Sequence, residues 1–196
     1  MPRDRWLPIV KVPLFVLALV PFAHTAWRVI GGASIDPVAD MTHASGDWTL
    51  IFLLLTLSIT PLRQLGLPGG IIGLRRMLGL FAYFYASVHF FIYLALDRMF
   101  DPRSIVHDIG RRPFVTVGFL AFTLLTPLAI TSTHGWMRRL KRNWSRLHRL
   151  IYPAAACGVL HYIWLVKRDL RQPLIYATLL TVLLVWRLVI AQRRRA

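Results

Sequence analysis

Seven histidines and no glutamate stand in a chain of 196 residues of which 56% are hydrophobic, and imidazoles in such surroundings are costly unless they serve a site or a polar cavity. Their depths along the apolar runs separate them. His89 follows Met77 by twelve residues, about 18 Å along a helix, and His161 follows Leu147 by fourteen, about 21 Å. Met77 and Leu147 each open an apolar run behind a basic stretch, so the two imidazoles stand at matching height on different helices. That arrangement supplies both axial ligands of one haem b iron, with the macrocycle among aromatic residues such as Phe84, Tyr85, Phe90, Phe91, Tyr93 and Tyr162. The alternative for each histidine is a hydrogen bond between helices.

His148 precedes His161 by thirteen residues, which places it about 20 Å lower and rotated by roughly 140° on an ideal helix. One haem cannot use both. A second haem at that level needs a partner below His89, where the sequence has Arg75. His148 is therefore read as a redox or binding residue near a flavin or quinone, and as a metal ligand only if another partner exists. Pro153 could kink its helix and change the rotation. His24 reads as a packing residue of the first span. His43, in Met41-Thr42-His43, falls in a connection where a quinone head group or a haem propionate could meet it. His107 and His134 lie in connections and carry no signal. Arg75 and Arg76, with the Arg138–Arg142 stretch, could receive a cofactor phosphate or propionate besides fixing topology.

The elements that must position these residues are long apolar helices. Crossing about 30 Å of hydrocarbon takes roughly 20 helical residues, and six stretches come near that length: Val12–Ile30, Trp48–Leu65, Met77–Leu96, Pro113–Ile130, His148–Val166 and Pro173–Ile190. The expectation is an all-α membrane bundle of six transmembrane helices, one domain over residues 1–196. The first run is read as a retained span rather than a cleaved signal. Arg187 lies near the end of the last, where it could snorkel.

The net charge of +16 comes from Lys and Arg placed between the apolar runs, not on a polar domain, which points to membrane lipid and away from nucleic acid. Most of the 24 Lys and Arg residues gather in the N-terminal segment, Arg63–Arg76, Arg138–Arg149 and the C-terminal end, so these are expected to be cytoplasmic, with both termini inside. The Gly31–Asp47 connection, with Asp36, Asp40 and Asp47 and no Lys or Arg, reads as periplasmic. The single cysteine, Cys157, excludes an internal disulfide and any Cys-based zinc or iron–sulfur site within one chain. Neither a Walker sequence nor a Gly-rich nucleotide fingerprint is present. If electrons enter, a mobile carrier or another protein must bring them.

Several segments carry a family likeness. They are Leu74-Arg75-Arg76-Met77-Leu78-Gly79-Leu80 leading to His89, Thr131-Ser132-Thr133, and Trp144-Ser145-Arg146-Leu147-His148-Arg149-Leu150 leading to His161-Tyr162. Thr60-Pro61-Leu62-Arg63, Arg112-Pro113, Thr116-Val117-Gly118 and Trp164-Leu165-Val166-Lys167 extend the likeness from about Asp36 to Lys167. The chain resembles the MsrQ family, haem-binding membrane subunits of bacterial methionine sulfoxide reductase systems within the ferric-reductase-like transmembrane group. That resemblance implies that His89, His148 and His161 are the haem-associated histidines, and Arg75 in place of a lower histidine sets this chain apart from two-haem oxidases. It also implies haem b plus FMN, a quinol or reduced-flavin donor, the bacterial inner membrane, and a periplasmic molybdopterin-containing partner, MsrP, that reduces methionine sulfoxide in proteins. The expected role is electron transfer, with no sulfoxide chemistry in this chain. The competing readings are a self-contained ferric or oxygen reductase, and a non-redox transporter or assembly factor whose histidines are structural.

Overall fold

The computed structural model describes residues 6–193, and every regular element among them is helical. In order these are α1 (Trp6–Ile30), α2 (Pro37–Gln64), α3 (Arg75–Ile92), α4 (Pro102–Arg111), α5 (Pro113–Ile130), α6 (His134–Leu140), α7 (Arg142–Leu147), α8 (Ile151–Leu165) and α9 (Arg171–Arg193). A 3₁₀ segment, Gly69–Leu74, leads into α3, a wider π turn, Tyr93–Asp97, leads out of it, and a 3₁₀ turn, His148–Leu150, leads into α8. Among the described residues five helical stretches are long and apolar enough to cross a membrane: α1, α2, Gly69–Asp97 around α3, α5 and α9.

Helix α2 packs along α3 and α5 along α8, with α1 and α9 outside this core. Small residues allow the close approach: Ala82 on α3 and Ala154 and Ala155 on α8 are almost fully buried, and Gly158 lies against Leu50. Tyr85, 1% exposed, anchors α1. Its hydroxyl donates to the Ala18 carbonyl at 2.7 Å and accepts from the Phe22 N–H at 3.2 Å. An unbroken helix would pair those two backbone groups with each other. Beside Pro21, which brings no N–H of its own, the phenol bonds to both.

The segment expected as the Gly31–Asp47 connection is mostly helix. Asp36 caps α2, its carboxylate accepting from the Ala39 N–H at 3.0 Å, and Pro37 occupies the first turn, where its missing N–H costs nothing. Helix α2 therefore begins eleven residues before Trp48 and carries Thr42, His43, Ser45 and Asp47 with it. At the other end of the chain the change of helix geometry before His161 falls in the His148–Leu150 3₁₀ turn. Pro153 sits in the first turn of α8. Arg187 turns inward, donating to the Tyr152 hydroxyl and to the Leu57 carbonyl, both at 2.7 Å.

Helix α4 is a short amphipathic piece between two spans. Asp101 caps it through the Arg103 and Ser104 N–H groups and the Ser104 hydroxyl, and these bonds, the hydroxyl first, hold its carboxyl below the usual range. The chain reaches this cap through Met99 and Phe100, two non-glycine residues in the left-handed region at φ 48° and 56°.

Candidate functional site

Helices α2, α3, α5 and α8 enclose a cavity of about 220 Å³ whose walls are mainly apolar, with Leu50, Leu53, Phe90, Phe119 and Phe122 among them. His89 of α3 and His161 of α8 face each other across it, ring centroids 6.1 Å apart and planes at 87°. Their Nδ1 atoms are already committed. His89 Nδ1 lies 3.0 Å from the Thr42 carbonyl, and His161 Nδ1 lies 2.6 Å from the Phe114 carbonyl. A carbonyl only accepts, so both rings carry their proton on Nδ1 and keep the Nε2 lone pair free. The Ser45 hydroxyl stands 3.4 Å from His89 Nδ1 as a further neighbour.

The two pins are built alike. In each the accepting carbonyl lies four residues before a glycine, Thr42 before Gly46 on α2 and Phe114 before Gly118 on α5. The glycine lets the imidazole lie against the helix backbone and reach the carbonyl. A Cβ on Gly118 would come within 2.6 Å of His161 Nδ1, and one on Gly46 within 3.3 Å of the His89 ring.

This pair suits a haem. Two iron–nitrogen bonds of about 2 Å, with about 1 Å more from each nitrogen to its ring centre, separate axial imidazole centroids by roughly 6 Å. The 6.1 Å observed matches that spacing. Among the described residues no group of three or more His, Cys, Asp or Glu side chains gathers as it would for a bare ion. Two axial ligands suffice only where a macrocycle brings the others.

His148 is set differently. Its Nε2 lies 3.1 Å from the Thr131 hydroxyl, and that hydroxyl gives its only proton to the Pro127 carbonyl at 2.6 Å. The imidazole must therefore donate through Nε2. Trp144 stacks on the ring with centroids 4.0 Å apart and donates its indole N–H to the Thr131 carbonyl. His148 does not line the paired-histidine cavity, and neither do Arg75 and Arg76. Arg76 pairs with His134 Nε2 at 3.1 Å, at the end of the bundle that His148 occupies. His24 and His107 are likewise outside the cavity lining, whereas His43 enters it from α2 together with Asp47 one turn on. Arg98 and Arg112 also line the cavity, and neither carries a spacing or motif that marks it as a site residue in advance.

The ferric reductase like transmembrane component family matches residues 45–159, a span that starts within α2 and runs through α3 and α5 into α8. A protein of Xanthomonas euvesicatoria pv. vesicatoria, described as protein-methionine-sulfoxide reductase heme-binding subunit MsrQ, is 54% identical over 184 residues, covering 90% of this chain and 84% of its own. The chain belongs to the MsrQ family. MsrQ proteins so described from Xanthomonas oryzae pv. oryzae and Herminiimonas arsenicoxydans are 51% and 47% identical, covering 91% and 100% of this chain. No solved structure matches it. The MsrQ match runs through both pinned histidines and through His148 alike, so the contrast between them rests on geometry.

Proposed function

We propose that this chain is an inner-membrane b-type cytochrome, a single membrane domain over residues 1–196. In this reading it passes electrons from the quinone pool or a reduced flavin, through FMN and haem b, to the periplasmic catalytic subunit MsrP, which repairs methionine sulfoxide in proteins. The observation that carries the haem is the pair of opposed imidazoles with Nδ1 pinned and Nε2 free. Kinship with MsrQ subunits supports the methionine sulfoxide system. FMN, the quinol donor and MsrP rest on the family likeness.

His89 and His161 are the proposed iron ligands, and the haem supplies one-electron Fe(III)/Fe(II) chemistry when bound. The chain's own residues do the rest. Thr42 and Phe114 hold the ring tautomers and orientations through their carbonyls, the work of outer-shell partners at a metal site. Phe90, Phe119 and Phe122 keep water from the ring faces. His148, Arg75 and Arg76 lie near the other end of the bundle, where a flavin or quinone could exchange electrons.

The proposed topology has six crossings. Besides the five candidate spans, the 3₁₀ turn and α8 run without a break over His148–Leu165, about 27 Å of helix, enough for a thin or tilted crossing. Both termini are then cytoplasmic, as the Lys and Arg distribution requires, and the haem sits in the periplasmic half, near its acceptor. Purified protein in liposomes with reduced quinol tests the reading. Haem reduced by quinol should be reoxidised on addition of MsrP and a methionine sulfoxide substrate. Haem reoxidised by ferric chelate or oxygen but not by MsrP would contradict it.

A further inference from the structure

We propose that Arg98 and Arg112 hold the carboxylates of the haem, so that the macrocycle's propionate edge faces α4, with Asp108 as the residue that aims both guanidinium groups. This rests on the haem reading above and adds the orientation of the ring within the cavity and the residues that fix it.

Arg98 and Arg112 are the two Lys or Arg residues among the cavity's described lining. They stand together at one edge of a largely apolar wall. Both turn to the same carboxylate: Arg98 Nε and Arg112 Nε pair with the two oxygens of Asp108, the latter at 3.2 Å, and the Tyr93 hydroxyl donates to Asp108 at 3.1 Å. Asp108 is 4% exposed, which would strand a carboxylate without these partners. One carboxylate between two guanidinium groups leaves a surplus positive charge. It also engages each arginine through Nε, so the terminal nitrogens are left for another acceptor. Among the described residues the only such bond is a long one, 3.4 Å, from Arg98 to the Asp97 carbonyl.

The backbone is shaped for this placement. The π turn Tyr93–Asp97 widens the end of α3, and the left-handed Met99 and Phe100 reverse the chain directly after Arg98. Arg112 is the residue before Pro113, which opens α5, two residues before the Phe114 carbonyl that pins His161 and six before Gly118. Asp47, which lines the cavity from α2, repels a carboxylate and favours the Arg98–Arg112 edge as its partner, where Asp108 and the neighbouring Asp97 offset only part of the charge. Two anionic arms on a flat apolar ring match two guanidinium groups beside an apolar slot.

The test compares haem b with its dimethyl ester, which keeps the ring and iron but has no carboxylates. Full-length protein in detergent is freed of haem and reloaded with either one, and haem loss is followed by transfer to an apo-globin acceptor. Arg98→Gln and Arg112→Gln should each speed loss of haem b about tenfold, as for one charge-assisted bond, and leave loss of the ester unchanged. Asp108→Asn, which keeps both cations but frees them, should give a smaller acceleration confined to haem b. Arg98→Lys and Arg112→Lys, which keep the charge and lose the fork, should speed loss of haem b by less than tenfold and leave the ester unaffected, and they carry the test where the Gln variants fail to fold. Equal acceleration with both haems, or none with haem b, would overturn the orientation while leaving the ligand pair intact. Wild-type protein that binds neither macrocycle would overturn the haem reading itself.

Discussion

The two ends of this bundle treat histidine in opposite ways. At the cavity, His89 and His161 spend Nδ1 on backbone carbonyls and offer Nε2 to a shared apolar space. At the other end, His148 spends Nε2 on the Thr131 hydroxyl and lies flat against Trp144, and among the described residues no second imidazole pairs with its ring. The lesson is that the atom an imidazole can offer is the one its neighbours leave free. Two helices at the right depth are not enough; each imidazole must also meet a carbonyl and a gap on a neighbouring helix.

The widest break in that comparison comes from the ligands. His89→Ala or His161→Ala should take the haem-to-protein ratio from about one to near zero, whereas His148→Ala should keep the haem and slow its reduction by quinol or flavin. Pigment content and stopped-flow reduction of the purified variants read these two effects. Next in size are the glycines. Gly118→Ala forces a Cβ into the His161 ring at 2.6 Å and should weaken haem retention by roughly 1–3 kcal/mol. Gly46→Ala, with 3.3 Å to the His89 ring, should cost distinctly less. Haem-transfer kinetics order the pair, and a reversed order would break the account of the pins.

Smaller still is Thr131→Val, which removes the acceptor of His148 Nε2 and should alter reduction kinetics with no change in haem content. The least effect is expected from Asp101→Ala at the α4 cap. Hydrogen exchange in α4 should quicken while pigment content holds. Because the Asp101 carboxyl titrates below its unfolded value, its contribution to the cap is complete above the ordinary carboxylate range and lost as pH falls through the folded value. The exchange difference between wild type and variant should thus close in acid.

Much of this was legible in the sequence, for identifiable reasons. Pro113 and Ile130 bound an uninterrupted apolar run, and α5 has those same ends. The matching depth of His89 and His161 follows from helical rise alone, and the structure sets their ring centroids 6.1 Å apart across the cavity. The early start of α2 was available but unread: Asp36-Pro37 is a helix-opening pair, and the polar residues behind it masked its continuity with the apolar run. That masking moved His43 from a connection to the cavity wall. The Thr42 and Phe114 carbonyls have no side-chain signature, and the glycines four residues on are their only trace in the sequence. Arg98 was hidden because the turn that returns it depends on a π segment and two left-handed residues, which composition does not announce.

The central claim is that one haem is held between His89 and His161. Its most direct test is the haem-to-protein ratio, with reduced-minus-oxidised spectra, of detergent-purified wild type and the His89, His161 and His148 alanine variants. The account predicts one six-coordinate haem in wild type and in His148→Ala, and none in the other two. A normal six-coordinate haem in both His89→Ala and His161→Ala would contradict it.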